Sequence, residues 1–218
     1  MTDNPNTGKP FPLPTDILNA TVRDFITATA ARTPTPGGGS VAALAGALAA
    51  SLAEMSMQYT LGKKQFEIYR GAITTAIDQL RKAAGLMQEL VYEDMASYQA
   101  ISGFMKMPVE QRLQDPNYLP AVVATIQAPR SVGGLALHIL ELSHELLNKC
   151  TPLLLSDLGA AAALAHATVH VAEFNVLVNL RLLPNPQEME EERKQVSDMA
   201  LQADRLWHKV HDALLPRL

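Results

Sequence analysis

The chain has 218 residues, of which 48% are hydrophobic and 18% charged, with a net charge of −4 and a mean hydropathy of +0.03. That length supports one sizeable core and gives no reason to expect two domains. A pI near 5.8 without a basic block argues against nucleic acid as a partner, and the single cysteine, Cys150, excludes an intrachain disulfide and fits a reducing, cytoplasmic setting.

Residues 1–20 are polar and proline-rich with no apolar signal core, and read as an arm ahead of one helical domain over 21–218. "TVRD", with Asp24 three residues after Thr21, predicts a capped helix running to Arg32. "TPTPGGG" breaks it, because proline lacks the backbone donor and glycine favours other angles. Ser40 is the expected N-cap of a second helix that runs to Thr60. Ala42, Ala43, Ala45, Gly46, Ala47, Ala49, Ala50 and Ala53 leave that helix almost without side-chain bulk, so neighbours can approach it from several sides and it belongs at the centre. Its helical part reads as too short to span a bilayer, so neither it nor the rest of the chain calls for a membrane. Gly62 ends it.

Over residues 65–107, apolar residues recur at steps of four and three: Ile73, Ile77, Leu80, Ala84, Met87 and Val91, then Asp94, then Tyr98, Ile101 and Met105. The stripe predicts one long helix of ~40 residues, ended by Pro108. A fourth helical region extends to Cys150, kinked at Pro129 and loosened by Gly133 and Gly134. A fifth, nearly uncharged, runs from Ser156 to Leu183. Asn185 caps the last helix, with Pro186 at its first position and Glu188 at its third, and that helix reaches Leu214. With no strand pattern and no internal repeat, the chain reads as an all-α bundle of about six helices.

Asp94 is the sharpest chemical signal, because it occupies a seven-residue series otherwise held by Ile73, Leu80, Met87 and Ile101. A carboxylate on an apolar seam must find partners or take up a proton, which makes it a candidate for proton transfer or, more plainly, for a buried hydrogen bond. The turn Gly37-Gly38-Gly39-Ser40 enters a helix and leaves amides able to hold an anion or a carbonyl oxygen. It lacks the lysine of a phosphate-binding loop and a preceding strand, so no nucleotide fingerprint is present. Lys63 and Lys64 at a helix junction can meet an anionic ligand tail or simply be solvated. Asn175 and Asn179, four apart, suit ligand recognition or interhelical bonding. Asp157 suits a helix start. His166, His170 and Glu173 share a helical face and could ligate a metal, although the HExxH pattern is absent and packing explains the pair as well.

Together "TVRDFI", "PTPGGGSVAALAGALAASLAEM", "TLGKKQFE", "EDMASYQA", "SDLGAAAALA" and "FNVLVNL" resemble, in order and spacing over residues 21–183, the cyclodeaminase/cyclohydrolase family of folate enzymes. The resemblance implies an all-α homodimer with a folate site in a cleft between helices, a tetrahydrofolate derivative as substrate, and neither a metal nor a bound cofactor. It implies that Asp94, in the family's D-x-x-[AS]-[FY] motif, is catalytic. It further implies that Gly37, Gly38, Gly39, Ser40, Lys63 and Lys64 line the folate site, with Asp157, Asn175 and Asn179 as further substrate-binding positions. The expected reaction is at the carbon bridging N5 and N10, either cyclohydrolysis of the methenyl form or cyclodeamination of the formimidoyl form. The opposing readings are a non-catalytic helical folate-binding or scaffold dimer, and a metal-binding helical protein built on His166 and His170.

Overall fold

The computed structural model describes residues 16–218, so most of the arm expected over 1–20 lies outside the described residues. Its last residues pack on the bundle: Ile17 is buried, and the Tyr92 hydroxyl donates to Asp16 while accepting the Leu18 N–H at 3.3 Å. The described residues form seven α-helices and no strand: α1 (Val22–Ala30), α2 (Gly38–Thr60), α3 (Arg70–Phe104), α4 (Val109–Arg112), α5 (Tyr118–Leu146), α6 (Leu155–Leu180) and α7 (Pro186–Leu214).

The local signals set most of the ends. Thr21 caps α1 in a reciprocal capping box with Asp24. Asn185 caps α7 by accepting the Gln187 N–H at 2.9 Å, with Pro186 in the first turn. Gly62, at φ +83, carries the chain out of α2 in the left-handed region open to glycine. Three expected helix bounds need correction. α2 begins at Gly38 with Gly37 as its N-cap, so Ser40 lies inside the first turn and is not the cap. α6 begins at Leu155 without a side-chain cap, because the turn Pro152–Leu154 feeds directly into it, and Ser156 is already helical. The long helix is 35 residues, because Lys64–Tyr69 winds as a 3-10 segment before it and tightened turns close it at Phe104, ahead of Pro108.

α2 is central, packed against α3, α5 and α6, while α6 lies between α5 and α7. The alanines explain why. Ala43, Ala49, Ala50 and Ala53 of α2 and Ala161, Ala162, Ala165 and Ala172 of α6 are fully buried, so helix backbones meet at close range. A Cβ added at Gly46 would lie 2.6 Å from Cε of Met87 on α3, so the end of the buried methionine occupies the space a side chain would take. By length and composition both α2 and the segment Pro152–Leu180 could cross a membrane, which corrects the expectation that α2 is too short; 56% of the most apolar stretch of α2 is buried in the bundle. Burial on several sides accounts for that composition. A smaller core of Ile101, Val122, Ile126, Val176, Leu180 and Val196 closes the far end of the bundle.

α5 stays helical through Pro129, which is buried inside it. Proline has no N–H for the carbonyl four residues back, so Thr125 O loses its helical donor. Asn179 on α6 supplies the replacement: its Nδ2 donates to Thr125 O at 2.9 Å and to Asn175 O at 3.0 Å.

Candidate active site

The apolar stripe of α3 buries Leu80, Met87 and Val91 against the core and then changes role. Asp94 is only partly buried, and Tyr98 and Met105 are 44% and 40% exposed. These residues, which the period would place in a core, instead form one wall of a cleft of about 390 Å³. The glycine turn Gly37–Gly39 forms the facing wall, and Thr125, Asn175, Asn179 and Arg181 close the end. Glu93 beside Asp94 is exposed, as its position on the helix requires.

The Asp94 carboxylate is held against the first turn of α2. The Ser40 hydroxyl donates to Oδ2 at 2.6 Å. Ser40 is itself fully buried, so it supports the carboxylate from beneath and does not line the cleft. Gly39 is the tightest point, since a Cβ built there would lie 2.0 Å from Asp94 Oδ1. The first turn of α2 has no side-chain cap, and its positive end therefore faces this carboxylate and the cleft beside it. Ser97, one turn on, donates to the Asp94 carbonyl at 2.8 Å and leaves the carboxylate alone.

The two asparagines lie where the glycine turn meets α6. A Cβ at Gly38 would be 3.2 Å from Asn175 Nδ2. Asn175 Nδ2 donates to Val171 O at 2.7 Å. Asn179 thus uses both of its amide N–H bonds on backbone carbonyls and Asn175 uses one, and among the described residues neither amide oxygen accepts a hydrogen bond. Those oxygens are the acceptors the cleft can offer to N–H groups of a ligand.

The structure separates the remaining expected residues from this cleft. A 23-residue helix is about 35 Å long, so Lys63 and Lys64 sit at the opposite end of α2 from Gly39. Lys63 Nζ donates to Thr151 Oγ1 at 3.0 Å, and Lys64 is exposed. Asp157 is in the first turn of α6, about 27 Å along the helix from Asn175. Lys63 and Asp157 instead border Cys150, whose thiol is pushed up chiefly by burial. Two rigid rods thus hold these residues away from Asp94 within one chain. The cation at the cleft is Arg181, which sequence reading missed; it is exposed and makes no ion pair among the described residues. No local pattern marks it, because its place depends on where α6 ends. A broader groove sharing Pro34, Thr35, Tyr98 and Met105 with the cleft continues along α3 to Lys106.

The chain is similar to known proteins along most of its length. The profile of the family described as Formiminotransferase-cyclodeaminase matches residues 21–198. Formimidoyltransferase-cyclodeaminase of Rattus norvegicus is 32% identical over 196 residues, which is 86% of this chain and 35% of the rat protein. Methenyltetrahydrofolate cyclohydrolase of Methylorubrum extorquens is 24% identical over 200 residues, 90% of this chain and 96% of that protein. The chain therefore spans about a third of the animal relative (35%) and nearly all of the bacterial one (96%). The crystal structure of formiminotetrahydrofolate cyclodeaminase from Thermotoga maritima shares the fold at a TM-score of 0.83 and 24% identity, covering 91% of this chain and 97% of that one. With a profile match that runs from the capping box of α1 into α7, the chain belongs to the formiminotransferase-cyclodeaminase family.

Proposed function

We propose that the chain is a methenyltetrahydrofolate cyclohydrolase in which Asp94 moves the protons. The observation that carries this reading is a carboxylate facing a ligand-sized cleft, braced by Ser40 and hemmed by Gly39. The substrate's bridging carbon is an amidinium centre between N5 and N10. Water adds to that carbon and Asp94 removes one of its protons, leaving a neutral carbinolamine. The bond to one nitrogen then breaks, Asp94 returns its proton to that nitrogen, and the hydroxyl proton departs to solvent as the formyl C=O forms. The amide oxygens of Asn175 and Asn179 suit the N–H groups of the pterin. Arg181 and, further along the groove, Lys106 suit the carboxylates of the glutamate tail.

Cyclodeamination is the second reading of the same site, because it needs the same carbon and the same two proton transfers, with N10 as nucleophile and ammonia as leaving group. Relatives matched over nearly their whole length carry both names, a cyclohydrolase covered to 96% and a cyclodeaminase covered to 97%, so the choice between the two reactions falls to the assay. Purified protein offered 5,10-methenyl- and 5-formimidoyl-tetrahydrofolate separately, with methenyl absorbance followed, distinguishes the two. Decay of the first substrate supports cyclohydrolase and growth from the second supports cyclodeaminase. Folate binding with neither change leaves the non-catalytic folate-binding dimer. The exposed apolar groove of Val22, Ile26, Val41 and Leu48 between α1 and α2 supports a homodimer.

Ser40→Ala is expected to lower kcat about 10- to 100-fold, the worth of one hydrogen bond to a charged group. KM should move much less, because Ser40 does not reach the cleft. Steady-state kinetics on the methenyl substrate checks this, and Ser40→Thr, which keeps a hydroxyl, should recover part of the loss.

A further inference from the structure

We propose that His166, His170 and Asp204 form a site for one late first-row divalent cation, clasping α6 to α7. This site shares no residue with the cleft of Asp94 and does not depend on the proposed activity.

The sequence places His166 and His170 four apart on α6, hence on one face. Glu173 is the third donor that their own helix suggests, but the structure supplies a different one from α7. Oδ1 of Asp204 lies 2.8 Å from Nε2 of His166 and 2.8 Å from Nε2 of His170. The two Nε2 atoms are 3.2 Å apart. An ion bound at ordinary zinc–nitrogen length with angles between octahedral and tetrahedral requires donor separations of about 2.9–3.4 Å. The observed triangle is close to those separations on all three sides. Hydrogen bonding alone explains two ring N–H groups aimed at one carboxylate oxygen. It does not favour two ring nitrogens facing each other at 3.2 Å, since both would carry N–H dipoles of the same sign.

The surroundings are those of a ligand set. Glu173, displaced from the first role, stands behind His170, with Oε2 3.5 Å from Nδ1. A carboxylate there favours the tautomer with its proton on Nδ1, which leaves Nε2 as a lone pair toward the ion. Ser197 on α7 donates to the other oxygen of Glu173 at 3.3 Å and orients it. Trp207 stacks on His166 with centroids 5.6 Å apart and planes 17° apart, fixing that ring. His166, His170 and Asp204 remain 21%, 28% and 42% exposed, so an ion can enter and water can complete its shell. Two imidazoles with one carboxylate select zinc, cobalt, nickel or copper over magnesium or calcium.

Trp207 is the only tryptophan in the chain, and its contact with His166 makes it a reporter. Untagged full-length protein, stripped with chelator, is titrated with CoCl2 and followed by tryptophan fluorescence and by visible cobalt absorption, then challenged with ZnCl2. The proposal expects saturation at one equivalent, quenching with new visible bands, and reversal of both by zinc. His166→Gln and Asp204→Asn should each weaken binding about tenfold or more, and Glu173→Gln, acting through His170, about tenfold. His208→Gln, outside the cluster, should leave binding unchanged. Circular dichroism verifies each variant, and Asp204→Asn decides the matter should His166→Gln fail to fold. Titration without saturation, or wild-type affinity in a folded Asp204→Asn or His166→Gln variant, overturns the proposal.

Discussion

Asp94→Asn is expected to lower kcat by about 10²–10⁴, the range that a positioned general acid–base supplies, while folate affinity stays close to that of the wild type. Asparagine has the same shape, and its amide can still pair with the Ser40 hydroxyl that now lies 2.6 Å from the carboxylate. The cleft and the fold should therefore survive. What is lost is the ability to take a proton from water and return it to nitrogen, since an amide does neither at neutral pH. Steady-state kinetics on methenyl-tetrahydrofolate, with binding measured separately by fluorescence, checks both halves. A variant that turns over near the wild-type rate removes Asp94 from the mechanism. One that loses binding and turnover together reassigns Asp94 to holding substrate.

Gly39→Ala is expected to be nearly as damaging, with kcat down about 100-fold, the cost of misplacing a reacting group by roughly an ångström. The added Cβ would stand 2.0 Å from Asp94 Oδ1 and 2.6 Å from Cγ, so the carboxylate must swing away. Doing so breaks its bond to Ser40. The neighbouring glycines grade the effect: at Gly38 the Cβ meets Asn175 Nδ2 at 3.2 Å, and at Gly37 it meets only Pro34 O at 3.5 Å. Among the three alanine variants, kcat should fall most at position 39, less at 38 and least at 37. None of the three sits in the left-handed backbone region, so packing alone sets this order. Equal losses at all three would mean that turn flexibility, and not the fit against Asp94, is what glycine provides there. Thermal melting should show the Gly39 variant folded, because the clash is with the end of one side chain at a cleft and not with the core.

The helices were readable because their signals are local. Thr21 with Asp24 and Asn185 with Pro186 mark helix starts within four residues, and the 3.6-residue period needs only one face to repeat. Asp94 was visible for the same reason, as the one carboxylate on an otherwise apolar seam. The same local view misplaced Ser40. Its serine-before-helix pattern suits a cap, whereas Gly37 takes that position and the Ser40 hydroxyl turns to a carboxylate 54 residues away. The family motif put Lys63, Lys64 and Asp157 with the glycine turn, but α2 and α6 are rods that carry those residues to the other end of the bundle.

By itself, the sequence determined an all-helical chain, the helix that must lie at its centre, and the one carboxylate that interrupts the apolar seam of its long helix. Those properties follow from backbone hydrogen bonds and side-chain periodicity, which act over a few residues. Only the tertiary structure decided that Asn179 completes the helix interrupted by Pro129, that Arg181 is the cation at the cleft, and that Asp204 joins two histidines 34 and 38 residues earlier. Each of these depends on how far a helix runs and how it is rotated against its neighbour. Packing across the whole bundle sets both quantities, and no short stretch of sequence contains them.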